Sequence, residues 1–145
     1  LPNSIGYQRK VFIQKCASSQ FVLTGSIDAK AYNREVKSVA SVLSPFGWGE
    51  ICFRDFEAVT NGCLLIKPSM DHIETWPDLF ISGKTYVPVD WDGENLIETI
   101  NCVAKNIVAY SDIIRFAKEE YKKALLNIDN RVQHFLEEAS GAKIN

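Results

Sequence analysis

Apolar residues along this chain fall into two spacings, short unbroken runs and longer stretches in which they return every three or four positions. The first stretch spaces Val11, Phe12 and Cys16 on one side and Gln8, Arg9, Lys10, Gln14 and Lys15 on the other, which predicts an amphipathic helix from Gly6 to Ala17. The run Phe21–Thr24 reads as a short buried strand ending at Gly25 and Ser26, followed by a helix over Ala29–Lys37 that turns Tyr32 and Val36 inward. Val39–Leu43 is apolar enough for a strand buried on both faces. Further strands are expected at Cys63–Ile66 and Thr85–Val89. Helices are expected at Ile51–Asn61, packed through Phe53, Phe56 and Val59 or Thr60, and at Asn95–Asn106, packed through Leu96, Ile100 and Val103 or Ala104. Two more follow: Tyr110–Leu126 with Ile113, Ile114, Phe116, Ala117, Tyr121 and Leu125 inward, and Arg131–Ala139 with Val132, Phe135 and Leu136 on one side.

This alternation predicts an α/β chain. The expected architecture is a Rossmann-like, three-layer domain with a mostly parallel sheet of about four strands and a ligand crevice along the strands' C-terminal edge. Its centre is Leu43–Pro68, LSPFGWGEICFRDFEAVTNGCLLIKP, which reads as strand, loop, helix, strand, with Asn61 and Gly62 as the helix stop. Gly47 and Gly49 flank Trp48 just before that helix. Bare backbone amides at a helix N-terminus favour an anion such as a phosphate, although glycines also serve simply to turn a chain. Arg54 and Glu57 lie three apart on one face, either as a surface ion pair or with the carboxylate free to accept two hydroxyl hydrogen bonds. Lys67 follows the strand Cys63–Ile66, where its ammonium could meet an anion. The long polar passage after it brings Asp71 and His72, read either as functional or as solvated loop residues. Gly25 and Ser26 read either as part of the ligand crevice or as an ordinary turn capped by Asp28. Arg9 and Lys10 read as solvated charges or as cations reaching a phosphate.

Composition narrows the function. A length of 145 residues is one domain's worth, 1–145, and large enough to bury a core. Net charge of −2 argues against a nucleic-acid footprint, which needs clustered basic residues. Cys16, Cys52, Cys63 and Cys102 are scattered without a Cys-x-x-Cys pair and only two histidines accompany them, so neither a metal site nor a cofactor is expected. Buried, reduced cysteines together with the lack of a signal-peptide pattern or long apolar run suggest a cytoplasmic protein. The chain starts at Leu1 with a helical pattern and no strand in front of it, so it is expected to be a piece of a longer polypeptide.

The constellation Gly47, Gly49, Arg54, Glu57, Ala58 and Gly62 resembles the C-terminal lobe of two-lobed, nucleotide-sugar-dependent glycosyltransferases of the group 1 type. The resemblance extends over about residues 5–125 in element order and is sharp over Ser41–Pro88, through FRDFEAVTNGCLLIKP and GKTYVPVDWDGENLIETI. It implies that Glu57, of the Glu-Ala pair, holds the donor's ribose hydroxyls, that Gly47, Trp48 and Gly49 lie against the diphosphate and donor sugar, that the backbone at Gly25, Ser26 and Ile27 meets the base, and that Lys67 reaches the diphosphate and Asp71 or His72 the sugar. The implied partners are a nucleoside-diphosphate sugar as substrate and an N-terminal lobe that carries the acceptor site and any catalytic base. Membrane contact would come only through the full-length enzyme, and the segment 127–145 would brace the other lobe. The family pattern has seven residues between its two acidic positions whereas six separate Glu50 and Glu57, so either the loop is one shorter or Glu50 is not the first of the pair. The rival reading is a non-catalytic interaction or signalling domain of flavodoxin-like topology. Such a domain would need a phosphorylatable Asp at the end of the third expected strand, where Lys67 and Pro68 stand.

Overall fold

The computed structural model describes residues 3–141. Helix α1 (Asn3–Cys16) and the short helix α2 (Ala29–Glu35) precede strand β1 (Ser41–Leu43). Helix α3 (Phe53–Asn61) leads to β2 (Leu64–Pro68), and a long connection leads to β3 (Val87–Val89). Three helices close the chain, α4 (Leu96–Lys105), α5 (Ser111–Leu126) and α6 (Ile128–Ser140), with a 3-10 turn at Ile107–Tyr110 between the first two. The strands form one open parallel sheet in the order β1-β2-β3, with Val42 opposite Leu65 and Ile66 opposite Val87.

The central strand explains the layering. β2 is buried along its whole length: Leu64, Leu65 and Ile66 make it apolar on both faces, which lets helices cover both, and Lys67 near its end is buried with them. Leu64 and Ile66 point into one core with Phe12 and Cys16 of α1, Val89, and Leu96, Ile100 and Val103 of α4. Leu65 points the other way, into a second core with Val36, Val42, Ala58, Met70, Phe80 and Tyr86. A smaller cluster of Val59, Leu79 and Ala117 joins α3 to α5. Local signals set the helix ends: Asp28 accepts the Ala31 N–H at 2.8 Å to start α2, and Gly62, at φ 75°, donates to the Ala58 and Val59 carbonyls to stop α3.

Several expectations are corrected. Phe21–Thr24 is not a strand, so the sheet has three strands rather than about four. Apolar content measures only a tendency to be buried, and here α1 and α4 supply that burial for Val22 without a sheet partner, while Phe21 and Leu23 stay exposed. Gln8, expected outward, is buried. Phe53, expected to pack, is 87% exposed, and α3, which starts two residues later than expected, turns Asp55 and Ala58 inward beside Val59, which packs as expected with Phe56 partly buried. On α5 Phe116 and Leu125 are exposed, and α6 begins at Ile128 rather than Arg131; its exposed Val132, Phe135 and Leu136 form the uncovered apolar side that is expected of this helix. Among the described residues no helix is long and apolar enough to cross a membrane.

Candidate functional site

Because all three strands run the same way, the segments that leave them gather at one edge of the sheet. These are the glycine loop after β1, the long connection after β2 and the Asp90–Asn95 turn after β3. Gln8 of α1 stitches two of them together: its amide oxygen accepts the Phe46 N–H at 2.8 Å and its amide nitrogen donates to the Trp91 carbonyl at 3.1 Å. The sequence reading placed Gln8 in solvent. It stands four positions before the core residue Phe12, a spacing that puts both on one helix face and was the available signal.

Two hollows flank this edge. The first, about 580 Å3, runs along β1 between α1, the Phe21–Ile27 segment, α2 and α4, with apolar walls and Arg9, Tyr32 and Arg54 among its polar lining. The Arg9 guanidinium packs on the glycine loop, with Nη2 3.4 Å from where a Cβ on Gly47 would stand. Its Nε is buried without a hydrogen-bond partner. The Arg54 guanidinium lies 5.9 Å from the centre of the Tyr32 ring. Burial, and then the nearby Glu57 carboxylate, push the Tyr32 phenol above its ordinary range, while Arg54 pulls it back.

Glu57 is therefore half-buried beside two residues of the first hollow without itself being one of its walls. Gly25 and Ile27 line that hollow; Ser26 is exposed and does not. Gly25 has φ 147°, a conformation that favours glycine.

The second hollow is lined by Phe46, Glu50, Ser69, Asp71, His72 and Trp91. Glu50 faces His72 there, 3.9 Å between carboxylate oxygen and Nε2, so Glu50 and Glu57 look toward different hollows. Phe46 lies beside the His72 ring, and Trp91 stacks on Tyr7 with ring centres 6.2 Å apart, which leaves an aromatic face next to hydrogen-bonding groups.

The glycine loop itself is a tight turn. The Gly47 N–H donates to the Gly49 carbonyl at 3.1 Å, Trp48 projects from the tip 76% exposed, and Gly49 has open space around it. The loop ends at Cys52, whose N–H donates to the Asp55 carboxylate at 2.9 Å, an acidic residue placed in the first turn where the helix dipole favours it. Lys67 is corrected here. Its side chain is fully buried and its ammonium stands 3.1 Å from the buried Asp55 carboxylate, away from both hollows.

Among the described residues no group of three or more metal-ligating side chains comes together, and the four cysteines are free thiols. Burial pushes the Cys16 and Cys63 thiols up. The arrangement has the chemistry for recognition: guanidiniums suited to phosphate or carboxylate oxygens, an apolar wall for a ring, and carboxylates for hydroxyls. Comparison of the chain with protein-family models, with curated proteins and with solved structures finds no match.

Proposed function

We propose that this chain is the donor-binding lobe of a glycosyltransferase, a Rossmann-like domain that holds a nucleoside-diphosphate sugar for transfer to an acceptor hydroxyl. The observation that carries the reading is Arg9: a guanidinium packed against the glycine loop at the sheet's C-terminal edge, with a buried Nε that lacks a partner and a second guanidinium, Arg54, on the same hollow. Two guanidiniums on one hollow are suited to the oxygens of a diphosphate. In this reading a base lies along the apolar wall near Gly25 and Ile27, and Glu57, beside Tyr32, takes the ribose hydroxyls. Glu50, Asp71 and His72 in the second hollow, next to the exposed Trp91 ring, suit the hydroxyls and apolar face of the sugar. Leaving-group charge is balanced in this reading by Arg9 and Arg54. The acceptor and any general base belong to a partner lobe, so this chain by itself binds and does not turn over.

Calorimetric titration with UDP, GDP and ADP tests the reading. One of them binds, and binding weakens in Arg9→Ala and in Glu57→Ala; no heat with any of the three refutes it. The exposed Trp48 and Phe53 favour a second reading, an interaction module without a nucleotide site. That reading predicts no nucleotide binding.

A further inference from the structure

Lys67 and Asp55 are both fully buried, and neither touches a hollow. A buried ion pair is weak evidence for stability, since desolvation costs about as much as attraction returns, and its best-supported use is to specify one arrangement. What this pair touches is the glycine loop, at both ends. One Asp55 carboxylate oxygen accepts the Cys52 N–H at 2.9 Å, at the loop's exit into α3. The other lies 3.5 Å from the Cys52 thiol, which in turn is 3.1 Å from the Ser44 hydroxyl at the loop's start. The Lys67 ammonium sits 5.0 Å from the centre of the Phe46 ring, the residue whose N–H Gln8 holds, and 5.7 Å from that of Phe80 in the connection after β2. Thus one cation at the end of β2 grips the entry of the loop through a ring and its exit through a carboxylate.

We infer that the Asp55–Lys67 pair is a positioning device that fixes the Ser44–Cys52 loop in the shape that sets Gly47 against Arg9. Lys67 acts on a bound anion through the loop, not by contact. The part of the inference that concerns ligand affinity rests on the proposed donor site; the part that concerns the loop does not.

The test is the charge-free pair Asp55→Asn/Lys67→Met, which keeps an acceptor for the Cys52 N–H and an apolar stem in place of the lysine. Amide hydrogen exchange is read residue by residue, with nucleotide titration beside it. The expected result is exchange at least tenfold faster at Phe46, Gly47 and Cys52, with the amides of β2 and of α3 around Val59 unchanged. Loop amides that exchange as in the unaltered protein overturn the inference. So does equal acceleration in β2 and α3, which would mark the pair as a general support of the fold.

In the unaltered protein, exchange of the Cys52 amide as slow as that of β2 amides is required as well. Exchange at the rate of an open loop refutes the inference without any variant, should the double variant fail to fold. In the titration the double variant binds its nucleotide at least tenfold more weakly, and affinity unchanged despite a loosened loop overturns the ligand part. If the unaltered protein binds none of UDP, GDP and ADP, the donor reading falls, while the exchange measurements still decide the role of the pair.

Discussion

Gly93 is the position at which a single added methyl group tests the packing of α1 on the sheet. It sits in the turn between β3 and α4 at φ 70°, and a Cβ there would stand 3.0 Å from Cε1 and 3.3 Å from Cδ1 of Phe12, the buried ring at the centre of the first core. Gly62, at the end of α3, provides the control: φ is 75°, yet nothing lies within 4 Å of its Cβ position. Gly62→Ala therefore carries the left-handed backbone cost alone, ~1 kcal/mol. Gly93→Ala carries the same cost plus overpacking against the Phe12 ring, ~1–3 kcal/mol, for a total of ~2–4 kcal/mol. For a chain of this size each kcal/mol lowers the melting temperature by ~2–4 °C, so the two variants separate by several degrees. Urea unfolding followed by circular dichroism gives the free energies. A Gly93→Ala loss no larger than that of Gly62→Ala would refute the placement of Phe12 beneath the β3–α4 turn, and with it the seating of α1 that carries Gln8 and Arg9 to the site.

Other expectations follow from burial and charge. Tyr32 and Tyr86 both hold their protons more tightly than an ordinary phenol, each chiefly through burial. A native group with a raised pKa keeps its stabilisation below the unfolded value and loses it as pH rises toward the folded one, so urea midpoints should fall above pH ~10. Glu57→Gln removes one cause of the Tyr32 shift and should make that fall shallower; an unchanged slope would contradict the Glu57–Tyr32 proximity. Thiol labelling of the native protein should reach the exposed Cys102 first, the half-buried Cys52 later, and Cys16 and Cys63 only on unfolding. Early labelling of Cys63 would show that the second core is open. Phe12→Ala should cost ~3–5 kcal/mol, as for other buried aromatic residues, and a loss under 1 kcal/mol would contradict its central place in the first core.

Much of the fold was legible because it is local. Strands β1, β2 and β3 and helices α2 to α5 fall where apolar spacing placed them, to within a few residues, and the Asn61-Gly62 stop and Asp28 cap need only neighbours in sequence to act. Burial periodicity named Leu96, Ile100 and Val103 correctly, since a helix presents one face to whatever it meets. Of the candidate site residues, Gly25 and Arg54 line the first hollow, Gly47 lies against its wall residue Arg9 and Glu57 beside its wall residue Tyr32, whereas Glu50 turns to His72, and Trp48 to solvent.

The remainder was decided by which segments meet. The sequence determined that this chain alternates strands and helices around a glycine loop, because hydrophobic period and turn chemistry act over a few residues. Only the tertiary structure decided that Phe21–Thr24 stays out of the sheet, that Gln8 is an internal bridge, and that Lys67 faces Asp55 instead of a ligand. Pairing, buried hydrogen bonds and buried charge each depend on a partner distant along the chain, and the energy of an isolated residue contains no record of that partner.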